Sequence, residues 1–307
     1  AGITVAALQQ FMGNAFIEEM RQTVEIYDTP FSPEEVANGV VHPVTKETIT
    51  KYKQLIADPI TRTVWEKAIC KELGRLTQGY GEIGSTYHTE GTNTMRFLDL
   101  EGIKNIPRDR VVTYARIVVD YRAQKKDPNR VRITAGGNLL KGLYEGELTT
   151  RTSDLTTSKI MWNSVISTPG ARFMTGDASN FYLATPLEKF QYLRIPIELI
   201  PQEFIDLYQL QDKVKNGFVY CEIIRGMYGL PEAGVLANKL LKTRLKEHDY
   251  LEVKHTPGLF KYETRPIWFT LTVDDFGVKH TGKEHAEHLI TVPKLELQRR
   301  ICQHLHA

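Results

Sequence analysis

The sequence predicts an α+β fold, a mainly antiparallel sheet with helices packed behind it. Two observations carry this. Runs rich in β-branched and aromatic residues, such as "RVVTYARIVVDYR" from residue 110, mix irregularly with helical stretches and are joined by short turns such as "KKDPN". In contrast, "PEAGVLANKLLKTRLKEHDYL" reads as one helix, with Pro231 suited to its first turn and Leu236, Leu240, Leu241 and Leu245 as its apolar stripe.

Taken in order, residues 1–58 predict an N-terminal helix over "VAALQQFMGNAFIEEMRQTVEIY" and a Pro-punctuated linker. In "PITRTVWEKAICKELGRL", Val64, Ala68, Ile69, Leu73 and Leu76 mark one helical face. A Gly/Ser/Thr-rich loop follows. Strands are then expected in "RVVTYARIVVDYR", "NRVRITAGGNLL", "ARFMT", "FQYLRIPIEL" and "GFVYCEI", with a short helix in "PQEFIDLYQL". "GLFKYE" and "IWFTLTV" read as arms of a meander.

Composition narrows the class. Among 307 residues, 41% are hydrophobic and 25% charged, as in an ordinary globular protein. Net charge is +2, so an anionic partner has to be read from local charge. Residues 104 to 132 hold nine Lys/Arg against three Asp, a local +6, which suits either a phosphate backbone or a solvated hairpin face. Cys70, Cys221 and Cys302 lack CxxC spacing, arguing for a reducing compartment. No apolar run approaches a bilayer span, so no membrane partner is expected. A start at Ala1 with no leader suggests a piece of a longer polypeptide.

The chemistry lies in "TLTVDDFGVK". Asp is depleted in strands, and side chains on a strand alternate faces, so adjacent Asp274 and Asp275 in an apolar run call for a tight turn and a cation. A third acid, Asp177, follows the short β run Ala171 to Thr175. Acids at two strand ends brought side by side would hold Mg²⁺ (or Mn²⁺) ions in the geometry of in-line phosphoryl or nucleotidyl transfer. "DFG" at 275–277 also matches the kinase tripeptide, but the Gly-rich and HRD-type loops are absent, as is a P-loop. His280, His285 and His288 fit a polar helix face better than a zinc site.

These segments together resemble reverse transcriptases. "TVDDFG" is similar to the motif with their paired aspartates and "GDASNFYL" to the motif with the first one. "RGMYGLPEAGVLANKL" resembles the copia-type "LYGLKQA" segment, "YARIVVDYR" a fingers strand, and "VWEKAICKELGRL" the helix that opens copia-type polymerase domains. Their order is also the family's, from about residue 59 to about residue 290. The resemblance is to the polymerase region of an LTR-retrotransposon polyprotein, copia type.

The resemblance implies a right-hand fingers and palm: fingers over 59–160, palm over 161–290, and an atypical tail over 291–307 in place of a thumb. It implies RNA-directed DNA polymerase activity, a nucleotidyltransferase using Mg²⁺ (or Mn²⁺), dNTP and an RNA/DNA template-primer. The setting would be intracellular: cytoplasmic virus-like particles with a nuclear phase. Asp177 and Asp274 would hold both metals with Asp275 assisting. Tyr182 would lie under the sugar and exclude a 2′-hydroxyl, Arg116 would contact the triphosphate, and Tyr228 and Gly229 would lie against nucleotide and template. Departures are Thr272, where the family has Tyr, and Pro231 and Glu232 after "YGL". Residue by residue, Tyr182 and Tyr228 also read as core aromatics, Arg116 with Asp120 as a structural pair, and Asp177 as a turn residue. Two alternatives stay open: a truncated or degenerate relative that binds nucleic acid without polymerising, and another two-metal phosphodiesterase or nuclease.

Overall fold

The computed structural model of the chain describes residues 39–85, 87–125, 127–140, 144 and 146–291, and the backbone of 297–300. The expected N-terminal helix and most of the linker lie outside these residues. The chain divides into two compact units, 1–68 with 117–132, and 69–116 with 133–307.

In the first unit, β1 (Val40–Val41) and β2 (Thr48–Ile49) form a small antiparallel hairpin, followed by α1 (Tyr52–Ala57). His42 sits in its turn, 3% exposed; Nδ1 accepts from the N–H groups of Val44 and Thr45, and Nε2 faces Asp58 at 3.1 Å. The Asp58 carboxylate also accepts from the N–H of Ile60, at the entry to α2 (Arg62–Leu76). The buried face of α2 is Trp65, Ile69, Leu73 and Leu76. This corrects the expected stripe at one position: Val64 is 45% exposed and Trp65, beside it, is 2% exposed. The larger ring takes the inward place because it buries more apolar area.

The division between the units passes through α2, β6 (Val112–Tyr121) and β7 (Asn129–Ala135). Before β6 come the hairpin β3 (Gly79–Tyr80) and β4 (Thr89–Glu90), then β5 (Met95–Phe97) and α3 (Leu100–Lys104), capped by the Asp99 carboxylate on the Gly102 N–H. After β7 come α4 (Leu155–Ile166), β8 (Arg172–Ala178), β9 (Pro186–Pro196), α5 (Gln202–Leu207) and β10 (Phe218–Arg225). α6 (Ala233–Glu247) leads to the meander β11 (Tyr250–Glu252), β12 (Leu259–Tyr262), β13 (Ile267–Thr272) and β14 (Asp275–His280). α7 (Lys283–Thr291) and β15 (Leu297–Arg300) complete the order.

Two main sheets result, and the class is α+β as expected. One has the order β5-β10-β9-β6-β7, with β10 antiparallel to both neighbours and β6 parallel to β9 over Val112–Tyr114. The other, β11-β12-β13-β14-β8-β15, is antiparallel throughout. In the six-stranded sheet, Phe260, Phe269, Leu271, Phe276 and Val278 turn to one face and pack with Ala237, Leu241 and Leu245 of α6 and Ala286 and Leu289 of α7. Phe260 and Phe269 stack with centroids 5.0 Å apart. α6 begins at Ala233, two residues after Pro231, and its buried face is Ala233, Ala237, Leu241 and Leu245: Leu241 and Leu245 of the expected stripe face inward, and alanines take the places expected of Leu236 and Leu240. Alanines on the inner face let the helix lie close to the sheet, and Leu236 and Leu240 flank the contact, half-buried.

Within the expected tail, residues 297–300 add an antiparallel strand to the edge of β8. Cys70 and Cys221 are buried and in no disulfide, and burial pushes the Cys221 thiol well up. Among the described residues no helix is long and apolar enough to cross a membrane.

Candidate active site

The site is built where β8 meets β14. β8 runs through Ala178, three residues beyond the expected end, so Asp177 lies within the strand. The Ala178 N–H donates to the Asp274 carbonyl, 2.9 Å, and Gly176 stands opposite Phe276. Hydrogen-bonded and non-hydrogen-bonded pairs alternate along an antiparallel ladder. The 178–274 and 176–276 pairs are therefore the bonded ones. Asp177 and Asp275, Cα partners in this register, form a non-hydrogen-bonded pair, the kind that brings side chains closest, with Cα atoms about 4.5 Å apart.

Asp274 reaches the same place differently. Thr272 pairs with Asp275, leaving Val273 and Asp274 as a two-residue hairpin loop. Val273 has φ 61° while Asp274 is not left-handed, the pattern of a type II′ turn with a β-branched residue where glycine is favoured. The turn lifts Asp274 off the strand's alternation and so resolves how two adjacent acids fit one apolar run. Burial pushes the Asp274 carboxyl upward; its own backbone N–H opposes this, and the neighbouring charges of Asp177 and Asp275 push it further up. The three acids are thus brought together, with negative charge that no cation among the described side chains balances. Among the described residues no three or more His, Cys, Asp or Glu side chains, these acids included, are gathered closely enough to hold a metal ion as they stand.

Tyr182 stands beside the acids. Burial raises its hydroxyl pKa, with the Asp274 charge next in size. Its ring meets Phe181 at 5.2 Å and Tyr228 at 5.2 Å, both edge-on. The turn that carries it is closed by Ala184 N–H to Asn180 O and Thr185 N–H to Tyr182 O. Gly226 passes so close that a Cβ there would lie 2.6 Å from the Tyr182 carbonyl oxygen. Arg75 donates to Asn180 Oδ1 at 3.2 Å while forked on Glu72. The sequence assigns no role to Gly226, Arg75 or Asn180, although all three lie inside the motifs that carry the resemblance.

Tyr228 accepts the Ala135 N–H on its carbonyl, 2.8 Å, and Gly229 has φ 92°. A Cβ at Gly229 would lie 2.1 Å from the Ala135 carbonyl oxygen, so the close approach that demands glycine here is to the end of β7. Glu232 is buried and accepts from Gln191 Nε2 at 3.0 Å.

Arg116 is exposed on β6, on the same face as Tyr114, whose hydroxyl donates to Asn138. It is not paired with Asp120, which binds Arg122 at 2.7 Å instead. No contact among the described residues joins Arg116 to the acids. The basic run is partly neutralised: Lys104 meets Glu101 at 3.4 Å and Arg110 meets Asp109 at 3.9 Å. The three histidines do not converge: His280 Nδ1 bonds Gly282 O, His288 Nδ1 bonds the Tyr250 hydroxyl, and His285 lies by Arg265.

No protein-family model matches this chain, and no curated protein matches it.

Proposed function

We propose that this chain is the fingers–palm module of an RNA-directed DNA polymerase from an LTR retrotransposon, copia type, extending a primer 3′-hydroxyl with dNTP on an RNA or DNA template. The observation that supports this reading best is the facing pair Asp177–Asp275 with Asp274 held over it by the hairpin turn. Three carboxylates are the hard oxygen donors that Mg²⁺ (or Mn²⁺) takes, and a cation would offset both the burial and the neighbouring charges of Asp177 and Asp275 that push the Asp274 carboxyl up. Asp177 and Asp274 would hold the ions, with Asp275 assisting. Bound there, the metal supplies Lewis acidity at the reacting oxygens.

The chain's own residues do the rest. Tyr182, its ring held edge-on by Tyr228 and within reach of the Asp274 charge, would be the wall against the sugar that selects against a 2′-hydroxyl. Arg116, exposed and unpaired among the described residues, offers a forked donor to the triphosphate. In the reaction, the hydroxyl oxygen bonds to the α-phosphorus, its proton leaves, and the bond to pyrophosphate breaks.

Primer extension on a homopolymer template tests the reading. Extension with Mg²⁺ or Mn²⁺, lost at least 100-fold in Asp274→Asn and Asp177→Asn, supports it. Binding of the duplex without extension points to a degenerate relative, and degradation of the template to a two-metal nuclease.

A further inference from the structure

α4 is seated by one face and bare on another. Met161 and Val165 are buried, and Lys279 Nζ donates to the Ser164 carbonyl at 2.9 Å. On the outer side Leu155 is 69%, Trp162 57% and Ile166 59% exposed, and Lys159 is exposed between them. The four positions are spaced 4, 3 and 4 apart, the seam pattern of paired helices, and fall within about 60° of arc. The Trp162 ring is steadied by Phe173, edge-on at 5.6 Å. Among the described residues no cation lies over Trp162, and Lys159 makes no hydrogen bond or ion pair.

The geometry points to a second copy of this chain as the occupant of this stripe, α4 lying antiparallel on α4 about a twofold axis. The stripe is self-complementary only in that direction. Antiparallel pairing sets Leu155 against Ile166 of the other copy, and Lys159 against the other copy's Trp162, each twice. A parallel copy would set Lys159 on Lys159. The cation then meets the face of the aromatic ring, and apolar residues close both ends. A twelve-residue helix is about 18 Å long, so the interface is smaller than a standard one of about 1,600 Å² and association depends on protein concentration. The proposal is independent of the polymerase reading.

Sedimentation velocity across a concentration series tests it, with melting followed by circular dichroism as the check on folding. Wild-type mass rises toward the dimer with concentration. Ile166→Asp and Lys159→Glu, both on exposed positions, weaken association about tenfold or more with melting unchanged. In a Cys302→Ser background, an equal mixture of Leu155→Cys and Ile166→Cys proteins forms a covalent dimer under oxidation, and neither does alone. A chain that stays monomeric and uncrosslinked overturns the proposal, as does a dimer indifferent to Ile166→Asp. A monomer that Ile166→Asp destabilises also overturns it, because another part of the same chain then covers the stripe.

Discussion

Asp177 and Asp275 face each other across the β8–β14 ladder as a non-hydrogen-bonded pair. Like charges directly opposite on a sheet destabilise it. Here the opposition comes with a third carboxyl, Asp274, in the adjoining turn. A fold gains nothing from this grouping in the absence of a cation, which is why the acids carry the functional reading.

Asp274→Asn is expected to stabilise the metal-free protein at neutral pH. The folded-state carboxyl is raised above its usual value, so between the usual and the raised value the folded chain keeps a proton that the unfolded chain has lost, and above the raised value the folded chain carries an unfavourable charge. Its contribution is most favourable below the ordinary carboxylate range and is lost as pH rises through the raised value. Removing the charge recovers under about 1 kcal/mol at pH 7 and nothing well below pH 4. Mg²⁺ reverses the order: at tenfold its dissociation constant it adds about 1.4 kcal/mol to wild type and little to the variant. Melting curves with and without Mg²⁺ at both pH values check this. A wild type whose melting ignores Mg²⁺ and Mn²⁺ would sink the metal assignment.

Val273→Gly is expected to stabilise the hairpin by about 1 kcal/mol. A β-branched residue at φ 61° is strained, and glycine is the favoured residue at this turn position. Val273 is 37% exposed, so little packing is lost. The gain read from thermal or urea melting sets the strain stored next to Asp274, and an unchanged or lowered midpoint would show that the turn is not held against its preference.

Much of the six-stranded sheet was legible in the sequence. The arms "GLFKYE" and "IWFTLTV" alternate clearly, and the acid pair interrupts them where the chain turns. Other elements were not. α4 shows only Met161 and Val165 to the core, too few to register as a stripe, although Asp154 capping the Thr157 N–H was a readable start signal. The parallel pairing of β6 with β9 joins strands far apart in sequence, which local pattern cannot encode. In α6 the inward residues are alanines as much as leucines, because close packing selects small side chains there. The gathering of the acids needed the 97-residue separation between Asp177 and Asp274 to be closed by register, which motif order suggested and spacing alone did not.

Gly226→Ala and Gly229→Ala are expected to cost on the order of 2–4 kcal/mol each. Both Cβ atoms would collide with backbone oxygen, of Tyr182 and Ala135 respectively, which cannot swing aside as a side chain could. The two differ in what they disturb. Gly226 lies against the Tyr182 segment beside the acids, whereas Gly229 lies against β7 and carries a left-handed φ. Gly226→Ala should therefore also shift Mn²⁺ binding at the acids, and Gly229→Ala should lower stability with less effect there. Equal stability to wild type in either variant would contradict the close backbone approach.

Stability is expected to fall as pH drops from 7 toward 5 because of His280 and His288. Burial is the first cause holding both imidazoles below the usual histidine value; Arg172 adds to it at His280 and Arg265 at His288. A base whose folded pKa is depressed stays neutral in the folded chain while the unfolded chain takes up the proton. Its stability is present above about pH 6.5 and is lost as pH falls through the lower folded value. At His280 one hydrogen bond works against this, because Nδ1 donates to the Gly282 carbonyl at 2.8 Å and so favours the charged ring, but burial outweighs it; His288 Nδ1 meets the Tyr250 hydroxyl at 2.8 Å. His288→Gln should flatten the slope of melting temperature against pH between 5 and 7. Because Asp274 titrates in the opposite sense and from a lower starting value, the Asp274→Asn variant should keep the histidine slope. A variant lacking either histidine whose slope matched wild type would assign the acid sensitivity elsewhere.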